Sequence, residues 1–147
     1  MYKRILVPTD GSTLSKKAVR SAVELAAAVG AEVVALNVVP RYPTSYFEGA
    51  ISISMAEVAR VEKQWAERGQ SLADDVSRLA QRAGVKAKAL TVRSDLVAEA
   101  ILAAARKNRC DLVVMASHGR KGLKRLLLGS ETQHVLTHGN IPVLVLR

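Results

Sequence analysis

Five short apolar runs, separated by stretches of helical periodicity, constrain this chain more than any other feature. They are Ile5-Leu6-Val7, closed by Pro8; Val33 to Val39, closed by Pro40; Ala87 to Val92; Leu112 to Ala116; and Val143 to Leu146, just after Pro142. Runs this continuous suit strands covered on both faces, as in parallel sheets. The third run alternates in part, with Lys86, Lys88 and Thr91 set against Ala87, Ala89 and Val92.

The intervening segments read as helices. Leu14, Ala18, Ala22, Leu25, Ala26 and Val29 fall on one helical face, and Gly30 is a natural stop. A longer helix is expected from Ser54 to Gly84, with Met55, Val58, Trp65, Leu72, Val76, Leu79 and Ala83 on its stripe and Glu62 as an exception. Asp95 is placed to cap a third helix whose inner face is Ala98, Ile101, Leu102 and Ala105. Lys107 and Arg109 suit the negative end of that helix. Ser130 and Gln133 have capping-box spacing before Val135 and Leu136. The order β-α-β-α-β-α-β-α-β predicts an α/β fold, a three-layer α/β/α sandwich around a five-stranded parallel sheet. No linker divides the 147 residues, which fit one domain spanning 1–147, and the stretch Arg41 to Ala50 reads as a loop.

Composition narrows the function classes. The net charge of +9 asks for an anionic partner. Its densest patch, Arg120, Lys121, Lys124 and Arg125, has no acidic neighbour before Glu131. A nucleic-acid reader would add exposed aromatics for stacking. Here the aromatics are few, and Tyr42, Tyr46, Phe47 and Trp65 lie far along the chain from the basic patch. That argues against nucleic acid. No apolar run approaches the ~20 residues of a bilayer span, and no signal-peptide pattern opens the chain. A soluble, cytoplasmic protein with no membrane association is expected. The single cysteine, Cys110, excludes an internal disulfide and reads as a structural thiol.

In a doubly wound sheet, ligands sit beyond the carboxyl ends of the strands, where strand order reverses. The loops that would meet there are Pro8-Thr9-Asp10-Gly11-Ser12 and Ala116-Ser117-His118-Gly119-Arg120-Lys121-Gly122, both rich in glycine and small polar groups. The second loop runs on to Gly129-Ser130 at a helix start, where free N–H groups and the helix dipole attract anions. Ser130 can serve a phosphate or cap its own helix. Asp10 can serve a ligand or cap the first helix. His118 reads as a surface polar residue or ligand neighbour, not a general base. His134 and His138 are four apart, a spacing that can bind metal. With no third ligand evident, they read as a solvated face.

The segment Met115 to Gly119, nine residues, then Gly129-Ser130 resembles the nucleotide-binding signature of the universal stress protein family, Gly-x-x-Gly, nine residues, Gly-Ser or Gly-Thr. The opening Ile5 to Ser12 and the ending Ile141 to Val145 are similar to that family too, so the likeness spans the chain. The resemblance implies a Rossmann-like domain with strand order 3-2-1-4-5 that binds ATP or a related adenine nucleotide. Adenine and ribose contacts would fall on Pro8, Thr9, Asp10 and Val38. Phosphate contacts would fall on Gly119, Gly129, Ser130 and Thr132, with backbone help from Met115 and Ala116. Magnesium would arrive on the phosphates, near Asp10, with no metal site formed by the protein alone. It also implies a homodimer paired through the edge strand Val143–Leu146.

Two positions depart from the signature. Ala116 replaces its first glycine, and a positive φ there would be strained. Glu131 follows Gly129-Ser130 and brings negative charge toward a triphosphate. The leading expectation is an ATP-binding, nucleotide-responsive regulator or survival factor in stress response, hydrolysing ATP slowly at most, with no catalytic residue identified. The alternative is a dimeric interaction module with an eroded nucleotide site.

Overall fold

The computed structural model describes residues 1–43, 54–120 and 127–147. The elements alternate along the chain as β1 (Arg4–Pro8), α1 (Thr13–Val29), β2 (Glu32–Val39), α2 (Met55–Arg82), β3 (Ala87–Arg93), α3 (Val97–Lys107), β4 (Leu112–Ala116), α4 (Ser130–His138) and β5 (Val143–Leu146). The strands form one parallel sheet in the order β3-β2-β1-β4-β5, as expected. Much of the expected Arg41–Ala50 loop lies outside the described residues.

The continuous apolar runs are explained by burial on both faces. Ile5, Val7, Val33, Ala35, Leu112 and Val114 point toward α1 and α2. Their neighbours Leu6, Val34, Leu36, Val113 and Met115 point the other way, toward α3 and α4. Sheet residues of alternate parity therefore feed two separate cores.

The helices differ from the periodic reading in instructive ways. On α1 the buried residues are Ser15, Ala18, Val19, Ala22, Val23 and Ala26, whereas Leu14, Leu25 and Val29 are only half-buried. Three alanines one turn apart let the helix lie close to the sheet, and the larger aliphatics flank that line. Gly30 closes the helix in the left-handed conformation (φ 72°), as predicted.

Helix α2 has 28 residues and is therefore about 42 Å long. Strand β2 has eight residues and spans only about 26 Å. The first half of α2 thus overhangs the sheet: Met55, expected on the inner stripe, is 83% exposed, and burial begins at Gly69. Glu62, the polar exception on the stripe, pairs with Arg93 at 2.6 Å.

Asp95 does not cap α3. Leu96 holds the cap position without a side-chain hydrogen bond, and the Asp95 carboxylate accepts from the Arg41 N–H at 2.9 Å. The α3 inner face is as read, with Ala98, Ile101, Leu102 and Ala105 buried. Cys110 is buried beside it, and desolvation pushes its thiol up to about 11.

Gly69 was not singled out from the sequence, yet it sets the approach of α2 to the sheet. A Cβ there would meet Val39 Cγ2 at 2.7 Å and crowd the Asn37 amide. Asn37 is buried and its Nδ2 donates to the Thr9 carbonyl at 2.8 Å, so it cannot move aside freely. In an ordinary helix Gly→Ala would gain about 1 kcal/mol. Overpacking here costs about 1–3 kcal/mol and should win. Gly69→Ala is expected to lower the urea midpoint, whereas a raised midpoint would show that α2 has room to spare.

Candidate functional site at the strand-order reversal

Strands β1 and β4 are neighbours only at their beginnings. Their pairing covers Ile5–Leu112 and Leu6–Val113. Beyond that, β1 stays with β2 as far as Pro8–Leu36, and β4 stays with β5 as far as Ala116–Leu146. A crevice therefore opens between the carboxyl ends of β1 and β4, where winding of the sheet reverses. The two glycine-rich loops leave the sheet on either side of it.

The first loop is held from within. The Thr9 N–H donates to the Leu36 carbonyl at 2.8 Å, and Thr9 itself is buried. Ser12, not Asp10, caps α1: its hydroxyl accepts from the Ser15 N–H at 3.2 Å. Asp10 instead bridges the two loops. One carboxylate oxygen accepts from the Ser12 N–H at 2.9 Å, and the other accepts from the Arg120 N–H at 3.0 Å. Burial alone would raise this carboxyl. Hydrogen bonds from Ser12, Ser15 and the Arg120 N–H outweigh it and hold the group below its ordinary value. Gly119 makes the bridge possible, because a Cβ there would stand 2.9 Å from the Asp10 carboxylate. Gly11 has φ +77°, and a Cβ on it would meet the Arg120 guanidinium at 3.1 Å. Arg120 therefore lies over the first loop.

The second loop is tied to α4. The Gly129 N–H donates to the Ser117 carbonyl at 2.7 Å. The Thr132 hydroxyl lies 3.0 Å from the Ala116 carbonyl and 3.1 Å from that of Ser117. Thr132 is buried, so its side chain clamps the end of β4. Gly129, not Ser130, occupies the cap position of α4, and the Gln133 amide donates to the Leu128 carbonyl rather than closing a capping box. Ser130 is the first helical residue and is exposed. The N–H groups of Ser130, Glu131 and Thr132 have no partner among the described residues.

Both departures from the signature have a structural account. Ala116 ends β4, and the only non-glycine residue with positive φ among the described residues is Arg109, so the feared strain does not arise. The Glu131 carboxylate accepts from the Ala98 N–H at 2.8 Å. It caps the first turn of α3, the task expected of Asp95.

Val38 lies across the crevice mouth. In the β1–β2 ladder, Leu36 faces β1 and accepts from Thr9, so Val38, two residues on, directs its N–H and C=O the same way. No β1 pair extends that far. Pro8, Thr9, Asp10, Val38, Ala116, Gly119, Gly129 and Ser130 are thus gathered at one end of the sheet, while Met115 is core and Thr132 is a clamp. Lys121, Lys124 and Arg125 lie outside the described residues.

Elsewhere, a cavity of about 410 Å³ between α2 and the β2–β3 edge is lined by Val39, Ala66, Glu67, Gln70, Thr91 and Arg93. It is separate from the crevice. Tyr42 and Trp65 stack on one another with centroids 5.9 Å apart. His118 is half-buried, with Nδ1 3.1 Å from the Ser117 hydroxyl. No helix among the described residues is long and apolar enough to cross a membrane.

The profile of the Universal stress protein family matches residues 1–147. The chain belongs to the universal stress protein family. A relative from Methanocaldococcus jannaschii, universal stress protein MJ0531, is 35% identical over 147 residues, covering all of this chain and 83% of the relative. The universal stress protein UspA of Lactobacillus plantarum superposes with a TM-score of 0.83 at 24% identity, covering 99% of this chain and 98% of the other. A universal stress protein crystallised in complex with cAMP superposes with a TM-score of 0.71 at 25% identity, covering 99% and 97%.

Asp10→Asn tests the bridge. A carboxamide offers one acceptor where two N–H donors converge, so a loss of about 1 kcal/mol is expected at neutral pH. Because the native carboxyl sits below its unfolded value, its contribution is complete above about pH 4 and fades as pH falls through the native value. The gap between wild type and variant in urea unfolding should therefore shrink on acidification. A gap that stays constant down to acid pH would contradict the bridge.

Proposed function

We propose that this universal stress protein binds an adenine nucleotide, ATP with magnesium, in the crevice between β1 and β4, and acts as a nucleotide-responsive regulator in stress survival. The observation that carries the reading is the N-terminal turn of α4, whose N–H groups have no partner among the described residues. Three N–H groups without a partner among the described residues, the exposed Ser130 hydroxyl and the dipole of α4 offer phosphate oxygens what they require. The cAMP complex of a related protein favours an adenine nucleotide over another phosphate.

At the other end of the ligand, the Val38 N–H and C=O suit the donor and acceptor on an adenine edge. The Asp10 carboxylate retains lone pairs beyond its two backbone partners, for ribose hydroxyls or a magnesium-bound water. Ala116 and Glu131 were the grounds for an eroded site, and the geometry at both favours an intact one. Binding would be followed by slow hydrolysis at most. Strand β5 lies at the sheet edge with Leu144 42% exposed, which suits pairing with a second copy and a cytoplasmic homodimer.

Titration with fluorescent ATP tests the proposal. A Cβ at Gly129 would sit 3.2 Å from the Ser117 carbonyl and 3.3 Å from His118 Cα, so a bulky side chain there must displace the loop. Saturable binding is expected in wild type, with at least tenfold weakening in Gly129→Val and an unchanged far-ultraviolet CD spectrum. No saturable binding at millimolar nucleotide would refute it.

A further inference from the structure

His134 and His138 lie one turn apart on α4, with ring centroids 4.1 Å apart and ring planes 29° from parallel. The hydrogen bonds around His138 favour a proton on Nδ1. The Thr137 hydroxyl donates to the Gln133 carbonyl at 2.9 Å, so toward His138 Nδ1, 2.8 Å away, it can only accept. The His134 carbonyl, 3.2 Å from the same nitrogen, can also only accept. Both contacts place the proton on Nδ1 and leave Nε2 with its lone pair.

An imidazole held through Nδ1–H by backbone and hydroxyl acceptors is oriented as metal-bound histidines are. We propose that His134 and His138 form an exchangeable site for a borderline divalent transition ion, of the class of Zn²⁺, Ni²⁺ or Cu²⁺. Two neutral imidazoles one helical turn apart form a two-point chelate for such ions. His138 is exposed and His134 half-buried, so an ion can reach both, and the stacked rings must turn apart for both nitrogens to face it. Among the described residues no group of three or more His, Cys, Asp or Glu encloses an ion. The remaining positions therefore go to water, which marks an open, exchangeable site instead of a closed structural one. Magnesium, which prefers oxygen ligands, does not suit this pair.

Calorimetric titration of the untagged full chain with ZnCl₂ tests the inference, with CuCl₂ expected to bind more tightly. One ion per chain is expected. His134→Ala and His138→Ala should each weaken Zn²⁺ binding at least tenfold, and the double variant, with neither imidazole, should lose the site. Thr137→Val, which keeps both rings but removes the acceptor, should weaken binding about tenfold. Zinc should raise the thermal midpoint of wild type and leave that of the double variant unchanged. No binding up to millimolar Zn²⁺, or binding equal in wild type and the double variant, would overturn the proposal.

Discussion

The carboxyl end of the sheet, where β1 and β4 part, depends on one carboxylate. Strands β1 and β4 separate after two paired positions, and their loops would otherwise be independent. Asp10 joins them by accepting one backbone N–H from its own loop and one from the other. Each bond fixes a glycine-rich turn whose side chains are too small to pack into place by themselves. The glycine at 119 is the steric condition for that contact. On the far side, Gly129 and Thr132 fasten the Ser117 carbonyl, so the second loop is anchored at both ends.

This arrangement releases donors instead of consuming them. The carbonyls at the end of β4 are satisfied by Gly129 and Thr132, and Glu131 is drawn away to cap α3. The first turn of α4 keeps N–H groups that no described residue takes up. The excess of positive charge takes a narrower meaning in this setting: Arg120 lies over Gly11 at the crevice, whereas Arg93, Arg4 and Lys86 are occupied with Glu62 and Glu32.

The strands were legible because burial on both faces leaves unbroken apolar runs, and their bounds differ from the reading by a residue at most. Helix faces were less legible. Leu14 and Met55 fit a 3.6-residue period, but small residues, Ala18, Ala22, Ala26 and Gly69, decide where a helix touches a sheet, and a period cannot show where a long helix overhangs. Caps were misread for a related reason. Asp95 and Ser130 each stand at a suitable local spacing, yet α3 is capped from Glu131, 33 residues from Ala98, and α4 from Gly129. The loops of the site were legible as glycine-rich segments and through their resemblance to a known signature. The bridge at Asp10 was not, because nothing local couples residue 10 to residue 120.

The claim that nucleotide occupies the β1–β4 crevice is tested most directly by amide hydrogen exchange with and without saturating ATP and magnesium. The account predicts slowed exchange concentrated at residues 9–12, 38–39, 117–120 and 129–132, with the β3 edge and the lower ends of the strands unchanged. Exchange that is unaltered at those segments, or slowed only along the α2–β3 groove, would contradict it.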